Sequence, residues 1–382
     1  MKVLYVCNNA FMRGNGVSSS ARTAVKYLRE AGIEAELLSS GSKDPSDEKP
    51  KFELKRLYFP IFQPVIDANG YCYAARDQKI IRQAVEWADI VHIEEAFPLE
   101  KSAIKWAEKL GKPVVGTFHL YTQSILAEIP LSSFGLSNRI MMTDWRNNFY
   151  NHCSHIQCPS LGVKRVLEKW NFTAKLHHIP NGIRIPQERV IASTPQMSPY
   201  LILNIGRFAK NKRQDTLLEA MKYSRHSSGI QLYFAGNGQM LGKCRKLAGR
   251  LVADGVLRYE PVFAFHNDPK ELKALAEKAY LYVHCSDLEV EGLGCIEAVR
   301  EGAVPVISTG ELVATSDFAL DERSLYPAKD PKALAERIDW WIEHPEERIE
   351  MGQKYADSAR KYSIHNSVNA LIEMYREALA GR

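Results

Sequence analysis

The sequence predicts an α/β protein of two Rossmann-like domains, each a doubly wound parallel sheet, facing each other across a cleft. Three observations lead there. At 382 residues the chain is too long for one ordinary core. Strand-like and helix-like segments alternate in both halves, the pattern of a parallel sheet wrapped by helices. Between the two alternations, Pro180-Asn-Gly-Ile-Arg-Ile-Pro186 and a polar stretch to Pro199 supply the turn punctuation of a linker. The expected domains are 1–183 and 184–363, with a last helix near 364–382 packing back on the first.

In the first half the expected strands are Lys2–Cys7, Ala35–Ser39, Ile90–Ile93, Pro113–Thr117 and Ile156–Pro159. Ser18–Ala31 and Glu100–Leu110 read as amphipathic helices, and residues 41–51 as a loop. The second half opens with strand Tyr200–Ile205, helix Gln214–Tyr223, strand Gln231–Ala235 and helix Gly242–Ala253. A strand near Leu257–Pro261, helix Pro269–Lys278 and strand Tyr280–His284 follow. Then come a helix starting at Glu297 and closed by Gly302, and strand Val304–Ile307. The tail carries three amphipathic segments, Pro331–Glu343, Glu346–Lys361 and Ile364–Ala380.

Composition excludes several classes. The chain is 45% hydrophobic and 25% charged, as a globular protein is. It has no apolar run of about 18 residues and no signal-peptide pattern after Met1. Seven scattered cysteines without CxxC spacing point to a reducing cytoplasm, not to disulfides or zinc. The net charge of +5 lies wholly in residues 1–183, which hold 23 Lys+Arg and 18 Asp+Glu. That bias suits an anionic surface, and no nucleic-acid partner is expected.

The most telling stretch is Ser286-Asp-Leu-Glu289-Val-Glu-Gly292-Leu-Gly294-Cys-Ile-Glu297-Ala. It follows a strand, so it lies where open α/β sheets bind ligands. The amides of Leu293 to Ile296 would face an anion at the helix N-terminus, and the glycines permit close approach. Carboxylates repel phosphate but accept hydrogen bonds from vicinal hydroxyls, so Glu289 and Glu297 suit a sugar. Amides and acids together suit a nucleotide-sugar. The plainer alternative is a solvated acidic loop and a favourable helix-start acid.

Gly206-Arg207-Phe-Ala-Lys-Asn-Lys212 occupies the same topological position one strand earlier in space. Arg207 and Lys212 converge on one anion if they act together, and two fixed cations suit a departing diphosphate. A solvated basic loop is the alternative. Near the N-terminus, Gly14-Asn15-Gly16 lacks the third glycine (Ser19 stands there) and the acid closing strand two, so a dinucleotide fingerprint is not met. Gly16 still allows backbone to approach a phosphate. His119 ends the strand before it and is expected to face the cleft.

Together these motifs resemble the retaining glycosyltransferases of the GT-B fold usually called family 4. The match comprises Glu289, Glu297-Ala298 and Gly302-Ala-Val-Pro305-Val-Ile, with Gly206, Arg207 and Lys212, and Asn15-Gly16. The resemblance implies that Glu289 holds sugar hydroxyls and Glu297 the ribose. It implies that Arg207 and Lys212 hold the diphosphate and that His119 lies beside the anomeric centre. Gly16, Gly236, Gly292, Leu293 and Gly294 are further implied donor contacts. Val262 and Phe263 would lie near the base, by resemblance a uracil. No cofactor and no metal are implied, and the chain has no Asp-x-Asp pair.

Within the family, Asp287-Leu-Glu-Val-Glu, Tyr58-Phe-Pro-Ile-Phe-Gln-Pro-Val-Ile66, Phe97-Pro-Leu99 and Gly116-Thr-Phe-His119 look like bacterial enzymes that glycosylate diacylglycerol or ceramide. The implied reaction moves glucose or galactose from a UDP-sugar to such a lipid. Basic residues beside apolar ones agree with a peripheral protein on the inner face of an anionic membrane. These are Lys55 and Arg56 beside Leu57, Tyr58 and Phe59, and Lys164 and Arg165 within Leu161–Trp170. Burial of both apolar runs in a core is the alternative. Other readings are a capsule or lipopolysaccharide glycosyltransferase, a sugar-nucleotide epimerase and a non-catalytic nucleotide-sugar binder.

Overall fold

The computed structural model describes all residues except 13–14, 43, 45–46, 62, 64–65, 67–70, 127–133, 187–198, 267 and 382. Gly14, most of the linker and part of the 57–66 run therefore lie outside the described residues. The chain divides into two compact units, Met1–Gly182 with Ile364–Arg382, and Ile183–Ser363.

The first unit holds strands β1 (Lys2–Val6), β2 (Glu34–Ser40), β3 (Phe52–Leu54), β4 (Ile90–Ile93), β5 (Val114–Thr117), β6 (His155–Cys158) and β7 (Lys175–His178). Its helices are α1 (Gly16–Glu30), α2 (Gln78–Trp87), α3 (Pro98–Lys109), α4 (Thr122–Leu126), α5 (Phe134–Asn148) and α6 (Leu161–Lys169). The seven-stranded parallel sheet has the order β3-β2-β1-β4-β5-β6-β7. Winding reverses between β1 and β4, which sets a ligand crevice outside their carboxyl ends.

The second unit holds β8 (Tyr200–Ile205), β9 (Ile230–Ala235), β10 (Val262–Ala264), β11 (Leu281–His284), β12 (Val304–Thr309) and β13 (Leu325–Pro327). Its helices are α7 (Gln214–Ala220), α8 (Leu241–Ala253), α9 (Pro269–Lys278), α10 (Leu293–Arg300), α11 (Pro331–Glu343) and α12 (Pro345–Ser358). This six-stranded parallel sheet runs β10-β9-β8-β11-β12-β13 and reverses between β8 and β11. The last helix, α13 (Ile364–Ala380), returns to the first unit.

Local chemistry explains the elements. Asn15 caps α1 by accepting from the Ser18 amide, and Ala21, Val25 and Leu28 form its buried stripe. The central strands β1 and β4 are buried on both faces, so they read as apolar runs, not alternations. Asp77, Asp268 and Asp330 cap α2, α9 and α11 in the same way, the last two with proline in the first turn. On α13, Ile364, Val368, Leu371, Ile372 and Tyr375 join the core that β1 and α1 build. Burying each such side chain contributes about 1.5–3 kcal/mol. Gly182, at φ +82°, lets the chain pass α13, because a Cβ there would meet Ser367 Oγ at 2.6 Å.

Two expectations need correction. The helix expected to start at Glu297 starts at Leu293, because Gly292 adopts φ +89° and ends the preceding loop without a side-chain cap. Glu297 is therefore a second-turn residue. The strand expected near Leu257–Pro261 instead spans Val262–Ala264. Pro261 has no amide to donate to a ladder, so pairing begins after it. Elements β3, β7, β13, α2, α4, α5 and α6 are not among those the sequence reading expects.

Candidate functional site

In the second unit, two loops leave adjacent strands at the reversal point. One follows β8 and carries Gly206 to Lys212; the other follows β11 and carries Ser286 to Gly292. The Asp287 amide donates to Asn211 O at 3.0 Å, and Asn211 Nδ2 donates to Leu288 O at 3.2 Å. Those bonds fix one loop against the other. Between the strands themselves, Asn204 Nδ2 donates to Val283 O at 2.8 Å.

Glu289 is pinned at both backbone groups. Its amide donates to Leu312 O at 2.8 Å and its carbonyl accepts from Ala314 at 3.0 Å. Its side chain is the centre of the site. The Lys212 ammonium donates to Glu289 Oε2. The Ser286 hydroxyl donates to the same oxygen at 3.3 Å, and His284 Nε2 lies 3.4 Å from it. Among the described residues every side-chain contact falls on Oε2, which leaves Oε1 to accept from a ligand hydroxyl. Burial works against the charge, but Lys212 and His284 outweigh it and hold the carboxyl well below the usual range. The acid is thus ionised at any working pH.

Lys212 and Glu289, placed by sequence at opposite ends of a ligand, meet directly. Arg207 is exposed, and its carbonyl accepts from Gln214 Nε2 at 3.1 Å, which holds the loop backbone. Next to Lys212, Arg213 takes the left-handed conformation at φ +51°, unusual for a residue with a side chain. Glu297 is half-buried on α10, and burial raises its carboxyl despite the nearby Arg300.

The glycines divide by role. A Cβ on Gly236 would fall 2.0 Å from Gly206 O, so Gly236 exists to let two loops touch. A Cβ on Gly292 would meet Thr315 Oγ1 at 2.5 Å. One on Gly294 would meet Ile205 and Tyr282 at 3.4 Å, and one on Gly16, the first residue of α1, would meet nothing. Of the four amides expected at the start of α10, Cys295 and Ile296 donate to Gly292 O, so only Leu293 and Gly294 remain for an anion. Phe263 stacks on Phe234 with centroids 5.0 Å apart, as part of the core edge, while Val262 is exposed.

In the first unit His119 joins a network that sequence reading missed. Its Nε2 lies 2.7 Å from Glu94 Oε2, and Glu94 Oε1 lies 3.3 Å from His92 Nε2. His92 also meets Thr117 Oγ1 and Tyr375 Oη, each at 2.7 Å. Burial, Glu94 opposing and His119 adding, pushes the His92 imidazole down to about 4, so it is neutral. Burial would raise Glu94, yet His119 keeps it below the ordinary value. Beside it, Glu95 accepts from Tyr71 Oη at 2.9 Å, and Asn8 Nδ2 bridges Glu95 and Glu100 at 3.3 and 3.1 Å. Burial raises both of those carboxyls, Glu100 the more strongly. Glu94-Glu95 closing a buried strand was the available signal.

Of the candidate membrane residues, Leu57, Tyr58 and Phe59 are exposed, as is Lys55. Arg56 instead donates to Gly41 O at 3.1 and 2.8 Å. Arg165 is exposed and Lys164 half-buried on α6, whose Val163 and Leu167 are core. Among the described residues no helix is long and apolar enough to cross a membrane.

Two doubly wound parallel α/β units agree with the GT-B fold, and comparison with known families supplies the class of enzyme. Residues 14–185 match the family model Glycosyltransferase Family 4, and residues 187–360 match Glycosyl transferases group 1. The chain is a glycosyltransferase of GT-B fold, its first half similar to Family 4 and its second half to group 1. Among solved structures it is similar to a sucrose-phosphate synthase from Thermosynechococcus elongatus (14% identity, 100% of both chains, TM-score 0.72). It is also similar to HepE of Anabaena in complex with UDP (14% identity, 99% of this chain and 100% of that one, TM-score 0.68). The catalytic domain of the cholesterol-alpha-glucosyltransferase from Helicobacter pylori is 36% identical over 44% of this chain and 100% of that one, with TM-score 0.40. The sequence matches no curated protein.

Proposed function

We propose that the chain transfers a hexose, glucose or galactose, from a UDP-sugar to a membrane-lipid hydroxyl with retention at the anomeric carbon. The observation that carries the donor half is the Glu289 carboxylate, ionised and held through one oxygen while the other is left to a sugar hydroxyl. In this reading the second unit binds donor. Arg207, Lys212 and the amides of Leu293 and Gly294 take the diphosphate, Glu297 takes the ribose diol, and Val262 with Phe263 flanks the base. Gly16 approaches a phosphate and His119 attends the reacting carbon.

In the step itself the bond from the anomeric carbon to the diphosphate oxygen breaks, and a bond to the acceptor oxygen forms on the same face. The acceptor proton passes to the departing diphosphate, whose growing charge the two cations and the amides stabilise. No side-chain nucleophile is needed. Excluding water protects the donor from hydrolysis.

The lipid half rests on the exposed run Leu57, Tyr58, Phe59 and Ile61 beside Lys55, and on Leu136 and Ile140, one turn apart on α5. A thermal-shift panel of nucleotide-sugars, followed by product analysis with the best donor, tests the proposal. Ceramide, diacylglycerol, a sterol and an oligosaccharide are offered as acceptors. A glycolipid with the α-anomer retained is the expected product. Transfer only to the oligosaccharide overturns the lipid acceptor. A new free sugar or a new nucleotide-sugar without acceptor overturns transfer.

A further inference from the structure

At the β7 edge of the first unit's sheet, His155 on β6 and His177 on β7 lie beside Glu377 on α13. The two rings are 5.1 Å apart. His155 Nε2 lies 3.6 Å and His177 Nε2 3.9 Å from Glu377 Oε2, and the three donor atoms lie within 4.8 Å of one another. Tetrahedral ligands at bond lengths of about 2.0–2.2 Å lie roughly 3.3–3.5 Å apart, so sub-ångström side-chain shifts close the set.

We propose that His155, His177 and Glu377 bind a divalent transition ion of the zinc class through two imidazole nitrogens and one carboxylate oxygen, with water completing the shell. Two features favour an ion over a chance cluster. His177 Nε2 is buried and has no hydrogen-bond partner, an uncompensated nitrogen aimed at the other donors. His155 Nδ1 lies 3.0 Å from Ser154 Oγ, the outer contact that fixes a ligating imidazole with Nε2 presented. Imidazole donors select zinc, cobalt or nickel over magnesium and calcium.

A competitor among the described residues is Lys175, whose ammonium donates to the same Glu377 oxygen at 2.5 Å. Lys175 is 61% exposed and free to swing into solvent. An ion would join residues far apart in sequence and clamp α13 onto β6 and β7. Tyr375 on that helix backs His92, so the clamp would also steady the His92–Glu94–His119 network.

The experiment uses full-length protein without a polyhistidine tag, stripped with chelator and titrated with Zn2+ or Co2+. Calorimetry, visible Co2+ absorption and melting temperature are read. One ion per chain, tetrahedral Co2+ bands and a rise in Tm of several degrees are expected, with no response to Mg2+. His155→Ala and His177→Ala each weaken binding by at least about tenfold. Lys175→Ala, which leaves all three ligands in place, tightens it by about two- to fivefold by removing the competitor. Absence of saturable binding, affinity unchanged in both histidine variants, or weaker binding in Lys175→Ala overturns the assignment.

Discussion

Glu289→Gln isolates charge from shape at the centre of the donor site. The amide keeps the size of the acid and its bond from Ser286, but leaves the Lys212 ammonium without its partner. Lys212 and Glu289 are 21% and 15% exposed, between the surface and buried regimes. Exposed pairs are worth about 0.2–1 kcal/mol, and breaking a fully buried pair costs about 3–5 kcal/mol. A loss of about 1–3 kcal/mol follows. In a domain of this size that lowers the Tm by roughly 2–12 °C.

The pH dependence separates this from a generic defect. The Glu289 carboxyl is depressed in the folded protein, so its stabilisation is complete above the unfolded value of about 4.3 and fades as pH falls toward the folded one. The Tm gap between wild type and variant is therefore constant from pH 8 to about 5.5 and narrows below about pH 4. Transfer falls by at least about tenfold, and by as much as 10³ if the contact strengthens in the transition state. Binding of UDP alone is kept or tightened by calorimetry, because Lys212 is released to the diphosphate, whereas the additional affinity for the UDP-sugar is lost. Wild-type turnover in a variant that melts normally at pH 7 would refute the reasoning.

Glu94→Gln removes the charge that orients His119 and His92; turnover falls about tenfold, and the Tm penalty measured at pH 7 begins to shrink as pH falls below the unfolded value of about 4.3, because Glu94 is also depressed. Gly292→Ala forces a side chain into φ +89° against Thr315 Oγ1, and calorimetric melting is expected to show a loss of at least about 1–2 kcal/mol. Gly16→Ala meets no atom within 4 Å, so it melts as wild type while donor affinity drops if the amide region approaches phosphate. Tyr58→Ser with Ile61→Ser reduces cosedimentation with anionic vesicles at low salt without changing hydrolysis of the donor. Equal pelleting of wild type and variant, or salt-indifferent pelleting, would remove that surface from membrane docking.

How much of this was legible depends on how far each signal travels along the chain. Strand–loop–helix units are local, so β8 with α7, β11 with its acidic loop, and the three tail helices could be read directly. Boundaries failed where the cue was conformational. Gly292 opens α10 by adopting φ +89°, with no Ser, Thr or Asp cap, so the start was misplaced by one turn. Polarity at the end of a buried strand is visible in Glu94-Glu95, but the partners lie far along the chain: His119, just after β5, for Glu94, and Asn8 for Glu95.

The partnership of Lys212 with Glu289 spans 77 residues, and that of His92 with Tyr375 spans 283. No periodicity encodes either. What sequence supplied was a set of charged residues at strand ends. What tertiary structure adds is which of them cancel one another. Lys212 compensates Glu289 in the folded protein, so neither is a spare charge awaiting ligand. A diphosphate arriving at Lys212 must share that ammonium with the acid. The same approach leaves Glu289 a stronger acceptor for a sugar hydroxyl, because each negative partner loosens the cation's hold on the other. Donor phosphate and donor sugar are thereby coupled through one side chain. Lys212→Ala should then weaken UDP, and combined with Glu289→Gln the two effects on UDP-sugar binding should depart from their sum. Strict additivity of the two changes would show that the ion pair carries no such coupling.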